Sequence, residues 1–289
     1  MLNFEGPLLI CANHPNSFLD AIIIATLFKR PVHSLVRGDV YKNSFYSKLL
    51  FSLNMLPVYR VTEGVENLEH NYSTFEKCKD IFRQNGVVLI FSEGRCINEW
   101  KLRPLMKGTA RLALSSWQEN INLMIMPLGI NYDSFRSFGK KIKFNIGKPY
   151  SLQEIKNEPY GKAIQIFNNK LKSELDDLVF ESKDTEEINK HFQLKSNFIK
   201  TTLLFLPAIA GYIVFAPPYY IFKSIIKRKW NNDHFDSILV SGGFFIFPFY
   251  IIVLTIITLA ITKTFISFLI IPLLLFCGYS SIQLKYLLK

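Results

Sequence analysis

GPLLICANHPNSFLDAIIIATLFK, residues 6–29, decides how the rest of the chain is read. Residues 6–12 are an apolar run bounded by turn residues and read as a buried strand. Asn16 or Ser17 stands where it can cap a helix over 18–29, which ends before Pro31. A buried strand, a polar turn and an apolar helix form the unit from which α/β sheets are built. Ligands bind in the loops that leave the strand ends of such sheets.

The alternation continues. VHSLVRG (32–38) reads as a strand, 43–53 as helical, and NMLPVYR (54–60) as a short apolar run. Leu68, Tyr72, Phe75, Ile81 and Phe82 recur at helical spacing within 65–84, and Gln84-Asn85-Gly86 stops that helix. VVLIF (87–91) is a second fully apolar strand, followed by a helix over 104–118. LMIMPLGINY (123–132), with Pro127 expected to break it, and KKIKFNIGKP (140–149) add two strands. Residues 161–180 carry an apolar stripe of Ala163, Ile164, Phe167, Leu171, Leu175 and Leu178. The expected fold is α/β, a mixed central sheet with packed helices over residues 1–180. A charged linker over 181–200 and a helical membrane region over 201–289 are expected to follow.

Three apolar segments, 203–222, 238–261 and 264–282, are each long enough to cross or enter a bilayer, which needs about 20 apolar residues. Lys227-Arg228-Lys229 follows the first, Lys285 and Lys289 follow the third, and Lys263 stands alone between the last two. Basic residues favour the cytoplasmic face. The last two segments therefore read as a hairpin, and the first, with Pro207, Pro217 and Pro218, as a re-entrant segment that keeps the α/β part on the cytoplasmic side. Three ordinary spans are the alternative.

The formal net charge of +11 divides unevenly, as +7 over 1–150, −2 over 151–199 and +6 over 200–289. A basic balance beside long apolar runs points to an anionic membrane surface rather than nucleic acid, for which no recognition motif is present. Cys11, Cys78, Cys96 and Cys277 form no CxxC pair and read as reduced thiols, Cys11 and Cys277 as core residues. No cluster has metal-ligand spacing, so neither a metal nor another resident cofactor is expected.

His14 and Asp20 flank the first strand-to-helix turn. If the loop folds back, Asp20 accepts from one imidazole nitrogen and fixes the tautomer. The other nitrogen is then left as a base facing the cleft. Arg60 in PVYR (57–60) offers a forked donor for phosphate or carboxylate. In IFSEGR (90–95), Gly94 allows close backbone approach, Arg95 suits an anion, and Glu93 either orders the loop or meets a substrate hydroxyl.

Taken in order, NHPNSFLD (13–20), PVYR (57–60), FSEGR (91–95) and IMPLGINY (125–132) resemble the four blocks of the glycerolipid acyltransferases, which include the 1-acylglycerol-3-phosphate acyltransferases. KGTARLAL (107–114) and IGKP (146–149) are similar to that family as well, so the resemblance covers residues 6–150. It implies that His14 deprotonates the acceptor hydroxyl and that Asp20 orients it. Arg60, Glu93, Gly94 and Arg95 would hold a phosphate-bearing acceptor, and Pro127 would shape the acyl-donor side. It implies acyl-CoA or acyl carrier protein as co-substrate and membrane lipids as partners. A phospholipid-dependent transacylase and a non-catalytic lipid-binding protein are the alternatives. Five residues separate His14 from Asp20 where the family usually has four, and a bulge at Pro15-Asn16 would absorb the extra one.

Overall fold

The computed structural model describes residues 2–42, 44–59, 69–193 and 198–285. Its sheet is centred on the strand that opened the reading. β1 (Leu8–Ala12) is completely buried, as a central parallel strand covered on both faces must be. The order β3-β2-β4-β1-β5-β6 places it between β4 (Val87–Phe91) and β5 (Met124–Tyr132). It pairs in parallel with both, Ala12 lying level with Phe91 and with Leu128. β2 (Val32–Arg37) and β3 (Met55–Val58) extend one side in parallel. β6 (Ile142–Ile146) closes the other, and the antiparallel bridge between Ile125 and Tyr150 continues beyond it. The sheet is therefore mixed, as expected.

Five helices pack around it: α1 (Phe18–Ala25), α2 (Ser44–Ser52), α3 (Glu69–Arg83), α4 (Lys107–Gln118) and α5 (Tyr160–Leu178). The stripe read on the last of these, Ala163, Ile164, Phe167, Leu171 and Leu175, is buried against Trp117, Leu112 and Ile125. The Trp117 indole N–H donates to the Leu123 carbonyl at 3.0 Å, so the largest core side chain buries no unmet donor. Cys11, Cys78 and Cys277 are buried and all four cysteines are free. Burial pushes the Cys78 thiol up to about 12 and raises Cys11 as well, so neither is a nucleophile near neutral pH.

Three details differ from the expectations. Ser17 occupies the position before α1 but makes no side-chain cap, and the helix stops at Ala25 instead of 29. The Lys29 N–H there turns to the Leu2 carbonyl (3.3 Å). Pro127 does not break its strand: β5 runs straight through it. Its carbonyl accepts the Gly147 N–H at 2.9 Å, and the reciprocal bond is the one a proline cannot make. A side chain at Gly147 would meet the Pro127 ring, its Cβ lying 2.6 Å from Cγ, so the glycine opposite is what admits the proline. The charged stretch after 180 contains a helix, α6 (Thr185–His191), capped by the Asp184 carboxylate accepting the Glu186 N–H at 2.9 Å. Ile188 and Phe192 are buried, which supplies the apolar anchor that the charge pattern hides.

The chain divides into two compact units, Met1–Asn131 with Ile142–Lys183, and Tyr132–Lys141 with Asp184–Lys289. The second holds α7 (Phe198–Lys229), α8 (Phe235–Thr262), a 3-10 turn (Phe265–Leu269) and α9 (Ile270–Leu284). Phe198–Lys229, Phe235–Thr262 and Phe265–Leu284 are each long and apolar enough to cross a membrane.

Contacts fix the path of α7. Leu204 clusters with Leu284, the Ser281 hydroxyl donates to the Ala208 carbonyl at 2.9 Å, and Gly211 lies on the backbone of Cys277. The first half of α7 thus runs antiparallel to α9. Phe222 lies over Gly242, and Ile226 packs on Phe235 and Leu239, so the second half runs antiparallel to α8. The short connection between α8 and α9 is tied by a 2.6 Å hydrogen bond between the Thr262 and Ser267 hydroxyls, and it returns α9 alongside α8. α7 is helical throughout, yet its halves pair with partners of opposite direction, so it bends back on itself about its central prolines. Pro218 strips the Val214 carbonyl of its helical donor, and the Tyr250 hydroxyl on α8 replaces it at 3.0 Å.

Gly211→Val tests that packing. A Cβ there would stand 2.1 Å from the Cys277 carbonyl oxygen and 2.3 Å from Ser281 Oγ. A loss of about 2 kcal/mol is expected, read as a lower thermal midpoint in detergent. Gly243→Ala is the control, since its Cβ would find Phe247 at an ordinary 3.6 Å.

Candidate active site

Strands β1 and β4 end side by side, and the loops that leave them interlock. The Ser92 N–H donates to the Ala12 carbonyl (3.1 Å), which extends the ladder one step past the strands. His14 Nδ1 donates to Asp20 Oδ2 at 2.9 Å, and the Asn16 N–H donates to the same oxygen at 2.7 Å. Asp20 is completely buried in the first turn of α1, where the helix dipole favours a carboxylate. The loop through Pro15 and Asn16 closes on that carboxylate. With Nδ1 donating, Nε2 is the ring's acceptor. The imidazole lies flat on Phe91, ring centres 3.9 Å apart and planes 11° from parallel, and keeps 16% of its side-chain surface exposed. Its plane and tautomer are both set, with an edge left open.

Glu93 makes the second brace. One oxygen accepts the His14 N–H and the other the Arg103 N–H, each at 2.9 Å. Burial pushes its carboxyl above the usual range, and the Arg103 and His14 N–H groups with the neighbouring positive charges pull it only partly back. Gly94 follows at φ +64°, a left-handed conformation that lets its N–H close a tight turn on the Phe91 carbonyl at 3.0 Å. Arg95 is exposed and makes no side-chain hydrogen bond or ion pair among the described residues. Arg60 lies outside the described residues. The structure therefore brings together His14, Asp20, Glu93 and Gly94, and leaves Arg95, next in the chain, exposed.

Sequence reasoning missed several supports. The Asn13 side chain grips β5 with two bonds, Nδ2–H to the Ile130 carbonyl (3.1 Å) and Oδ1 from the Ile130 N–H (2.8 Å). The Asn98 amide donates to the Pro15 carbonyl at 2.7 Å, and the Ile97 N–H to that of His14 at 3.3 Å. Ser17 sits at φ 53°, ψ −146°, a strained conformation for a residue with a side chain. Its N–H donates to Cys96 Sγ at 2.8 Å. The Asn16 and Ser17 amides are thus engaged by Asp20 and Cys96. A polar Asn13 closing an apolar strand was a usable signal; the backbone donors of Ile97 and Arg103 left none.

Asn13→Ala removes both bonds to Ile130 beside His14. A cost of about 2 kcal/mol in stability is expected. On the reading of His14 as a base, turnover should fall while substrate KM stays within about twofold, because the base is misplaced and substrate binding is left intact.

The sheet presents a histidine braced by a buried carboxylate at the carboxyl ends of its central strands, the end at which α/β sheets bind ligands. Residues 1–131, from β1 to the penultimate residue of β5, match the family model described as Acyltransferase. No curated protein matches the chain. The match takes in most of the sheet, and the chain also carries three helices long and apolar enough to cross a membrane.

Proposed function

We propose that this protein transfers a fatty acyl chain from an acyl thioester, acyl-CoA or acyl carrier protein, to the free hydroxyl of a glycerophosphate or lysophospholipid, first among them 1-acylglycerol 3-phosphate. The observation that carries the reading is the bond from His14 Nδ1 to a buried Asp20, with Nε2 left as acceptor at an open edge. In this mechanism Nε2 takes the acceptor's hydroxyl proton as the oxygen attacks the thioester carbonyl. The tetrahedral intermediate collapses, the C–S bond breaks, and the thiolate leaves with the proton from Nε2. Asp20 stabilises the imidazolium in between. Glu93 serves by holding the His14 and Arg103 amides, and the exposed Arg95 meets the anionic headgroup in this reading. Arg60 completes the phosphate-binding set by resemblance to the second block.

The bent α7 supports a membrane arrangement in which it enters and returns. Lys200 at its start bonds Gln283 near the end of α9, so the chain's way into the helices and its way out share one end. The basic residues at 227–229 and 285 favour the cytoplasm for that end.

The test is a panel. Purified protein is given labelled acyl-CoA or acyl carrier protein with glycerol 3-phosphate, lysophosphatidate or neutral lysolipids. Ester formation on lysophosphatidate in preference to the neutral lysolipids is the expected result. Transfer only from an added phospholipid would replace the thioester donor with a transacylase. Lipid binding without transfer from any donor would leave a binding protein.

A further inference from the structure

The end of α7 carries a feature that the proposed chemistry does not use. Lys227, Arg228 and Lys229 are all exposed and directly follow the apolar Ile225 and Ile226. None of the three makes an ion pair among the described residues. Trp230 comes next, 41% exposed, with Lys229 Nζ 5.8 Å from its ring centre. One turn back, Lys223 Nζ stands 5.7 Å from the Tyr219 ring. Few acids lie nearby in the chain to answer this charge. Residues 200–289 contain only Asp233 and Asp236, and Asp236 is buried and bonded to Lys140. Arg136 lies over the Phe235 ring and bonds Asn231, so it adds positive charge beside the same turn.

We propose that Lys227, Arg228, Lys229 and Trp230 form a docking surface for the headgroups of anionic phospholipids. Unpaired cations at the end of an apolar helix attract negatively charged lipid, and an indole beside them suits the boundary between acyl chains and headgroups. Cations in a last turn also favour the helix dipole and orient a membrane helix. Neither of those roles requires a particular lipid, and that difference makes the proposal testable. It rests on the membrane reading of the helices and not on acyl transfer.

The measurement is quenching of Trp230 fluorescence in vesicles of phosphatidylcholine and phosphatidylglycerol, with the brominated chains carried by one lipid or the other. Trp230→Phe supplies the background from Trp100 and Trp117. The expected result is an enrichment of phosphatidylglycerol around Trp230 of about fivefold or more, reduced by high salt. Lys227→Gln/Arg228→Gln/Lys229→Gln should abolish it, and Lys227→Arg/Arg228→Lys/Lys229→Arg should keep it. Should the neutral triple variant fail to insert, Lys227→Gln and Lys229→Gln singly should each lower the enrichment severalfold. Equal quenching by the two lipids in the wild type overturns the proposal, as does enrichment that survives loss of the charges. Enrichment cancelled by inorganic phosphate would assign a soluble phosphate instead and overturn it too.

Discussion

Asp20→Asn is expected to lower kcat by about 10²–10⁴-fold, the range that general-base assistance supplies. The carboxylate is completely buried and its Oδ2 receives both the His14 ring and the Asn16 N–H. An amide in that place still fills the space, but it has no charge to balance the imidazolium that the proposed proton transfer to His14 would form. It can also turn its NH2 toward Nδ1 and favour the wrong tautomer. The loss should fall on kcat, with KM little changed, because Asp20 reaches the substrate only through His14. The measurement is steady-state acyl transfer beside a thermal melt. Activity within about threefold of wild type in a folded Asp20→Asn protein would reduce Asp20 to a loop-closing role.

Glu93→Ala is expected to damage stability and activity together. Its two oxygens hold the backbone N–H groups of His14 and Arg103, one from each loop. Each donor left buried without a partner costs roughly 1–3 kcal/mol, so a loss of about 3 kcal/mol is expected, measured by thermal or denaturant unfolding. Activity should fall further than the folded fraction does, because the His14 backbone is released as well. The effect has a pH dependence of definite sign. The folded state raises the Glu93 pKa, chiefly by burial, so it binds the proton more tightly than the unfolded chain does. The contribution of Glu93 is therefore full below the ordinary glutamate value and is lost as pH rises through the raised one. The stability gap between wild type and Glu93→Ala should accordingly narrow as pH rises across that window. A gap that widens would contradict the role of burial.

Much of this was legible in the residues themselves. Fully apolar runs such as LLICA and VVLIF can satisfy their backbone only in the middle of a covered sheet, and both are buried there at every position. His14 and Asp20 were legible as a pair because a polar turn between two apolar elements leaves few other uses for them. Pro127 misled because its neighbours in sequence do not show Gly147, the residue across the ladder that makes room for its ring. α6 was hidden because Ile188 and the C-cap Phe192, both buried, are sparse among charges. The bend of α7 was suggested by its prolines, but the Tyr250 hydroxyl that repairs the Val214 carbonyl comes from another helix. Glu93 was open to two readings until its oxygens were seen to meet two amides.

The most direct test of the central claim compares wild type with His14→Ala, using labelled acyl thioester and lysophosphatidate in detergent. His14 keeps 16% of its side-chain surface exposed, so the variant is expected to fold, as a melt run alongside would verify. The account predicts that wild type forms labelled phosphatidate and that His14→Ala forms it more slowly by about 10³-fold or more. A folded His14→Ala protein that transfers the acyl group at the wild-type rate would contradict it.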